Sequence, residues 1–274
     1  MTLLGVAAIL GILQGLTEFF PVSSSGHLAL SEILLQKMGV PLPSEDLFFE
    51  VLLHVGTLLV VVGYYRREIF QFFHEWTRSK SAPTTTIPSG SCKQWTGYLL
   101  VSTLATVAIA IPFEGQIELA FREPLVVGTC LLITGGILVL AWWNIRNHQE
   151  RTDLSLLSAL VIGLAQGVAL LPGISRSGAT IGAALIVGVG RREAVTYSFL
   201  LSIPAILGGT LRTALEVEEM AWSAAFVGMI CAVGSGWIAL RFLVRWVVEG
   251  KLIGFSLYCF ILGGISIILA LVAG

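Results

Sequence analysis

The chain has 274 residues, of which 55% are hydrophobic and only 12% are charged, and its mean hydropathy is +0.88. A soluble domain carries about 25% charged residues, so the composition excludes that class and predicts an integral membrane protein. The net charge of −1 gives no indication of a nucleic-acid partner. The long apolar runs lack the alternation of a barrel, so we predict an all-α fold.

Six apolar segments are long enough to cross a hydrocarbon core of about 30 Å, which requires roughly 20 residues. The sequence between the first two is rich in Ser, Thr and Pro, and we predict a mobile connector at 77–95. The predicted spans lie near 47–65, 96–112, 124–143, 194–213, 221–240 and 252–273.

Two further apolar regions, 3–37 and 154–190, are broken in the middle by Pro, Gly and Ser. Broken helices are tolerated at membrane depth only where the freed backbone groups face protein or a wet cavity. We therefore predict that each region is a re-entrant helix hairpin, which enters the membrane and returns to the same side.

The two hairpin regions are related in sequence by an offset of 152 residues. Each half of the chain holds one hairpin and three spans, and because three is odd, the halves have opposite orientations. We predict one membrane domain, 1–274, built from inverted repeats at about 1–143 and 154–274, with the hairpin tips meeting near the midplane. The matched pairs are Gly11 and Gly163, Gln14 and Gln166, Gly15 and Gly167, Ser23 and Ser175, Ser25 and Ser177, and Gly26 and Gly178.

Basic residues are unevenly divided between the two sides of this topology. Twelve lie on the side that holds the loops after the first, third and fifth spans, and only Lys37, Arg122 and Arg212 lie on the other. The positive-inside rule makes the first side cytoplasmic. Both termini then face outward, and the first hairpin enters from the outer side.

The hairpin tips carry the residues that indicate chemistry. The first tip, QGLTEFFPVSSSGH, offers a carboxylate, three serine hydroxyls and an imidazole, and the second, LLPGISRSGAT, offers hydroxyls and one arginine. Helix N-termini and an arginine fork attract phosphate oxygens, so the two tips predict a phosphate or diphosphate site. Glu18 and His27 are candidate acid–base groups, Glu18 is also a candidate metal ligand, and a Ser or His27 is a candidate nucleophile.

Some of these residues also have structural interpretations. A Ser in a membrane helix often bonds back to its own backbone, and Arg176 alone is compatible with helix capping. Gln14 and Gln166 are interpreted as a cross-link between the two hairpin helices. Glu50 and His54, four residues apart on the first span, either support the site or line its outer mouth.

These residues resemble a known family. QGLTEFFPVSSSGH is similar to the E/Q-x-x-x-E…P-V-S-S-x-G-H stretch of the undecaprenyl-diphosphate phosphatases, the bacitracin-resistance membrane family, and PGISRSGAT is similar to their second motif. The resemblance covers essentially the whole chain. It implies a bacterial inner-membrane enzyme that hydrolyses undecaprenyl diphosphate to the monophosphate, recycles this carrier for peptidoglycan synthesis and confers bacitracin resistance.

The resemblance also implies roles for individual residues and a divalent cation, Mg²⁺ or Ca²⁺, with Glu18 as its candidate ligand. Gln14 occupies a position where a second Glu also occurs in the family, so we assign it hydrogen-bonding support. The implied catalytic residues are Glu18, Ser24, His27 and Arg176, and the implied substrate-binding residues are Gln14, Ser23, Ser25, Ser175, Ser177 and Thr180.

Two mechanisms and other functions stay open at this point. Either Ser24 attacks while His27 handles the proton, or His27 attacks while Glu18 orients it. Inverted repeats with a midplane site are typical of secondary transporters, so a transporter or flippase of a phosphorylated polyprenyl lipid is the second hypothesis. A lipid-binding scaffold is the third, and the Glu–Ser–His set disfavours it. Expected partners are the polyprenyl diphosphate and membrane lipids, with a homodimer kept as a hypothesis.

Overall fold

The structure is a computed structural model that describes residues 2–43, 48–77, 92–148, 154–213 and 221–273. Most of the predicted connector at 77–95 therefore lies outside the described residues. Within these ranges the chain forms twelve helices and no strand, which confirms the all-α class. The helices are α1 (Leu3–Phe19), α2 (Ser24–Lys37), α3 (Phe48–Tyr64), α4 (Arg66–Thr77), α5 (Cys92–Ala110), α6 (Glu114–Ala120), α7 (Pro124–Asn147), α8 (Leu156–Val168), α9 (Arg176–Ile186), α10 (Arg191–Thr213), α11 (Trp222–Val248) and α12 (Ile253–Ala273).

The predicted spans correspond to six of these helices. Four of them, α7, α10, α11 and α12, are long and apolar enough to cross a membrane alone. The other two, α3 and α5, meet the combined criterion of length and apolarity only together with the short helices α4 and α6, from which they are bent by 74° and 75°. The described part of the chain therefore has four candidate spans, or six when each bent pair counts as one.

The bend between α3 and α4 was not anticipated from the sequence. It falls at Tyr65, immediately before Arg66 and Arg67, which begin α4. Two arginines are costly in the hydrocarbon core, so the chain has a physical reason to leave its membrane-crossing direction at this point. The aromatic residues and charges of α4 suit a helix at the membrane surface.

The four helices of the predicted hairpins are short. They contain 17, 14, 13 and 11 residues, or about 26, 21, 20 and 17 Å at 1.5 Å per residue, less than the hydrocarbon thickness. Prolines explain the breaks: Phe20, which precedes Pro21, is extended as that position requires. The second break contains Pro172 and Gly173, whose φ of +96° favours glycine.

Each hairpin packs against a span of the other half of the chain. Helix α1 lies on α11, and α8 lies on α5. A Cβ atom at Gly11 would lie 2.2 Å from the Gly228 carbonyl oxygen, and one at Gly163 would lie 2.4 Å from that of Ser102. Small residues permit such close backbone approach in membranes. This reciprocal packing fits the predicted internal repeat, while the inverted orientation of the halves stays a prediction.

Candidate active site at the hairpin tips

The two hairpin tips share the same helix-capping hydrogen bond. The hydroxyl of Ser23, just before α2, accepts a hydrogen bond from the backbone N–H of Gly26 at 3.2 Å. The hydroxyl of Ser175, just before α9, accepts the equivalent bond from Gly178 at 3.0 Å. Both serines are N-cap residues, which satisfy amide groups that a helix leaves free at its start. The sequence match between the tips therefore reflects one shared backbone motif.

The two tips are in direct contact. The backbone N–H of Gly173 donates to the Ser23 hydroxyl across the interface at 3.1 Å. A Cβ atom on Gly26 would lie 3.0 Å from the Gly173 Cα, and a Cβ atom on Gly178 would lie 3.3 Å from the Pro21 Cβ. The 152-residue offset relates Gly26 to Gly178 and Pro21 to Gly173, so these last two contacts are equivalent to each other. The tips therefore meet as predicted.

Glu18 is the centre of the side-chain network. Its Oε2 accepts a hydrogen bond of 2.6 Å from the Ser24 hydroxyl and one of 3.1 Å from the Gln14 amide. Its Oε1 forms an ion pair with Arg176 of the other tip. All four residues belong to the predicted site, and Gln14, Glu18 and Ser24 are buried. The structure thus brings the carboxylate, the serine and the arginine together.

Arg176 has an unused donor group inside the site. Its Nη2 contacts Glu18, but Nη1 is buried and has no partner among the described residues. Its guanidinium lies 5.9 Å from the centre of the Phe199 ring, which supports the planar group. A buried N–H without a partner is costly, so this group has reason to bind an anion. Arg176 and Ser24 are also the first residues of α9 and α2, at the positive ends of those helices.

His27 lies apart from this network. Its Nδ1 is 2.7 Å from the Ser23 carbonyl oxygen, and its Nε2 is 2.6 Å from the Tyr258 hydroxyl of α12. Over the described residues, neither Ser24 nor Glu18 forms a hydrogen bond with the ring. His27 is therefore oriented by Ser23 and Tyr258 rather than by Glu18. No sequence signal predicted Tyr258, which is 231 residues away along the chain.

The other predicted substrate-binding hydroxyls are all engaged by protein groups, and Ser177 also donates to the Phe20 carbonyl of the first tip at 3.4 Å. Ser25 and Ser177 lie 3.3 and 3.2 Å from the cap serine hydroxyls of their own tips. Thr180 donates to the Arg176 carbonyl at 2.8 Å and contacts the Ser198 hydroxyl. Ser177 and Thr180 are buried, whereas Ser25 is partly exposed. These hydroxyls lie at the tips, and the structure gives them a role in supporting tip geometry.

The two matched glutamines have separate surroundings. Gln14 donates to Glu18 on its own helix, whereas Gln166 donates to Thr106 of α5 at 3.1 Å. The interpretation that they cross-link the hairpin helices to each other is therefore wrong, because each amide nitrogen is bound elsewhere. In both residues Oε1 is buried without a partner in the described chain.

A second layer of polar residues borders the Glu18 network. His54 places Nε2 3.6 Å from the Glu18 Oε2, and its Nδ1 lies 2.8 Å from the Glu50 carbonyl oxygen. The structure therefore favours the interpretation in which His54 supports the site. The Glu50 carboxyl group is hydrogen-bonded to that of Glu32 of α2, which the sequence had not indicated.

The residues present set limits on a metal site. In the part of the chain that the structure describes, no group of three or more His, Cys, Asp or Glu side chains could hold a metal ion. Glu18 supplies one carboxylate, and the Oε1 of the neighbouring Gln14 has no hydrogen-bond partner in the described chain and is a further oxygen ligand for a cation. Mg²⁺ is commonly bound by one or two carboxylates together with substrate phosphates. The site therefore fits a cation that is shared with a phosphorylated substrate.

The fold and the site together define a class of protein. The chain is a multi-pass helical membrane protein whose two broken hairpins enclose a serine–carboxylate pair and an arginine with a free donor. Such a set can bind a phosphoryl group and supply a nucleophile to it.

Sequence comparisons identify the family. A family model described as bacitracin resistance protein BacA matches residues 7–265. A protein of Korarchaeum cryptofilum, named undecaprenyl-diphosphatase, is 38% identical over 264 residues, which cover 94% of this chain and 95% of that protein. A protein of Desulfosudis oleivorans with the same name is 39% identical over 271 residues, which cover 94% and 96%. The chain belongs to the bacitracin resistance protein BacA family.

Proposed function

We propose that this protein hydrolyses undecaprenyl diphosphate to undecaprenyl phosphate and inorganic phosphate. The observation that carries the proposal is the 2.6 Å hydrogen bond from the Ser24 hydroxyl to a carboxylate that also holds Arg176. This hydrogen bond pairs a nucleophile, Ser24, with a proton acceptor, Glu18, beside an arginine that can bind phosphate. The names and the extent of similarity of the relatives support the same activity and substrate. Hydrolysis would return the carrier lipid to peptidoglycan synthesis and so confer bacitracin resistance.

In this proposal the terminal phosphoryl group binds between the tips. The free Nη1 of Arg176 and the N-termini of α2 and α9 face developing negative charge. Phosphoryl transfer depends mostly on positioning and charge stabilisation, so this set is sufficient. The polyprenyl tail lies along apolar helices in the outer leaflet.

Ser24 is the proposed nucleophile. Its Oγ attacks the terminal phosphorus, the bond from that phosphorus to the bridging oxygen breaks, and undecaprenyl phosphate leaves with the bonding electrons. The Ser24 proton passes to Glu18, its hydrogen-bond acceptor. Water then attacks the phosphorus of the phosphoserine, the bond from that phosphorus to the Ser24 Oγ breaks, and phosphate is released. Glu18 returns its proton to the Ser24 Oγ, and His27 is the proposed acceptor of the proton that the water loses.

One observation favours a second nucleophile. The contact of His27 Nδ1 with a carbonyl oxygen places the proton on that nitrogen and the lone pair on Nε2, which would attack after release of the Tyr258 hydroxyl. A phospho-enzyme trapped with radiolabelled substrate separates the two mechanisms. Phosphoserine survives acid, whereas phosphohistidine survives alkali and is lost in acid.

The proposal extends to a divalent cation, Mg²⁺ or Ca²⁺, held by Glu18 with Gln14 and the substrate phosphates. When bound, it would offset part of the diphosphate charge. Removal of cations with a chelator should abolish phosphate release, and added Mg²⁺ or Ca²⁺ should restore it. Unchanged activity in chelator would contradict this part of the proposal alone.

Phosphate release by purified protein in detergent micelles is the test of the main proposal. An enzyme releases phosphate from a polyprenyl diphosphate there, whereas a transporter or flippase releases none because no compartments exist. His27→Ala and Arg176→Ala should strongly lower phosphate release while the protein remains folded. Near-full activity in either variant would contradict the assignment of the site.

We further propose that the protein resides in the bacterial inner membrane, with both termini outside and the active site open to the periplasmic side. The bias of basic residues supports this orientation. Single cysteines introduced near His27 should react with a membrane-impermeant maleimide added to intact spheroplasts. Single cysteines introduced near Arg191, on the side predicted to be cytoplasmic, should react only after lysis.

A further inference from the structure

Tyr258 of α12 reaches a predicted catalytic residue from the far end of the chain. Its hydroxyl lies 2.6 Å from Nε2 of His27, and the two ring planes are within 5° of parallel. The lone pair of an imidazole nitrogen lies in the plane of the ring. The distance between the hydroxyl and Nε2 is that of a hydrogen bond.

The other contact of the ring decides which nitrogen carries the proton. Nδ1 lies 2.7 Å from the backbone carbonyl oxygen of Ser23, and a carbonyl oxygen only accepts hydrogen bonds. In the neutral imidazole Nδ1 is then protonated and Nε2 is the acceptor. A hydroxyl can donate or accept, so the Tyr258 hydroxyl takes the donor role toward Nε2 in this tautomer.

Tyr258 is itself held in place by its neighbours on α12. The Ser256 hydroxyl donates to the carbonyl oxygen of Gly135 on α7 at 2.9 Å. The Cys259 thiol lies 3.7 Å from the carbonyl oxygen of Pro21, in the break between α1 and α2. These contacts fix this part of α12 to a neighbouring span and to the first tip. The Tyr258 side chain nevertheless keeps 44% of its surface exposed, so it is not locked in a packed core.

We propose that Tyr258 is a positioning residue for His27, which it holds with the proton on Nδ1 and the Nε2 lone pair directed to a donor. The inference rests on the proposed function, since it assigns His27 a part in phosphate release. Tyr258 acts through His27 and needs no contact with the phosphoryl group. Its loss should therefore lower kcat and leave KM nearly unchanged.

The test compares Tyr258→Phe with the wild type. The phenylalanine keeps the ring beside His27 but lacks the hydroxyl, and we expect kcat to fall about tenfold, as for the loss of one hydrogen bond to a reacting group. In protein labelled with ¹⁵N-histidine, the Nε2 resonance of His27 should move toward that of an acceptor without a donor. Nε2 should also react faster with diethyl pyrocarbonate, measured by mass spectrometry.

Tyr98→Phe, on α5, is the matched control, and it should change neither kcat nor the His27 signals. An unchanged Nε2 resonance and reaction rate in Tyr258→Phe would overturn the contact, whatever the activity. A shifted resonance with unchanged kcat would overturn the positioning role while the proposed function stands. A wild-type protein that releases no phosphate would overturn the proposed function and the positioning role together, while the resonance would still report the contact.

Discussion

The two hairpin tips have one backbone design and different chemistry. Ser23 and Ser175 cap their helices in the same way, at distances that agree within 0.2 Å. The next residue, the first of the helix, is Ser24 in one tip and Arg176 in the other. Under the same offset, Glu18 corresponds to a leucine and His27 to an alanine.

This comparison indicates how a duplicated scaffold can become one site. Each tip supplies a helix N-terminus, which favours negative charge whatever its side chains are. Residues at equivalent positions then differ, so that the proposed nucleophile and the carboxylate lie on one tip and the arginine lies on the other. The ion pair between Glu18 and Arg176 joins the two tips. Substitutions at equivalent positions of the two tips should therefore have unequal effects.

The largest expected effect is that of Ser24→Ala. We expect kcat/KM for phosphate release to fall by at least about 10³-fold, because removal of a nucleophile disables the whole catalytic set. Ser31→Ala, two turns later on α2, is the control and should retain activity. Activity within tenfold of the wild type in Ser24→Ala would transfer the nucleophile to His27.

Replacement of the equivalent residue of the second tip should have the next largest effect. Arg176→Ala should lower kcat/KM by about 10²- to 10³-fold, because it removes a group that stabilises charge in the transition state. Arg176→Lys should be intermediate, since it keeps the charge but loses the planar fork. The exposed Arg122→Ala serves as the control. Equal activity of the Lys and Ala variants would show that charge alone contributes nothing.

The matched glutamines provide a smaller contrast. Gln14→Leu should lower kcat/KM about tenfold with little change in Tm, because it removes a hydrogen bond to Glu18. Gln166→Leu should lower the free energy of unfolding by about 1 kcal/mol and leave kcat/KM within about twofold, because its partner is Thr106 of the scaffold. Thermal unfolding in detergent and phosphate release measure the two effects. Reversed outcomes would contradict the division between the tips.

The smallest expected difference is in the stability effects of substitutions at the two helix-capping serines. Ser23 has a φ of +70°, whereas Ser175 has a φ of −67°. A positive φ favours glycine over alanine by about 1 kcal/mol. The stability advantage of Gly over Ala should therefore be larger at position 23 than at position 175 by about that amount, read from Tm values. Equal advantages would contradict the unequal backbone geometry of the tips.

Much of the architecture followed from patterns that the chain displays locally. Apolar runs located the spans, and Pro, Gly and Ser located the two breaks. The repeat placed Glu18 and Arg176 at one site although they are 158 residues apart. The two residues lie on the two matched tips, and the structure shows those tips in direct contact.

The features that the sequence did not predict depend on contacts between distant elements. Tyr258 lies in an ordinary apolar span, and only the packed fold brings it to His27. The pairing of Glu32 with Glu50 joins α2 to α3 and leaves no local pattern. The sharp bends after α3 and α5 lie at the ends of predicted spans, where a span prediction does not resolve the direction of the chain.

The reciprocal packing of the halves has a consequence for biosynthesis. Gly11 of α1 rests against Gly228 of α11, which is synthesised 217 residues later (228 − 11). At about 5–20 residues per second, the first hairpin waits about 10–40 seconds for its packing partner. During that time its buried carboxylate and serines have neither α11 nor Arg176. The first hairpin, α1 and α2, is therefore a segment with unpaired polar groups until α9 and α11 have been synthesised.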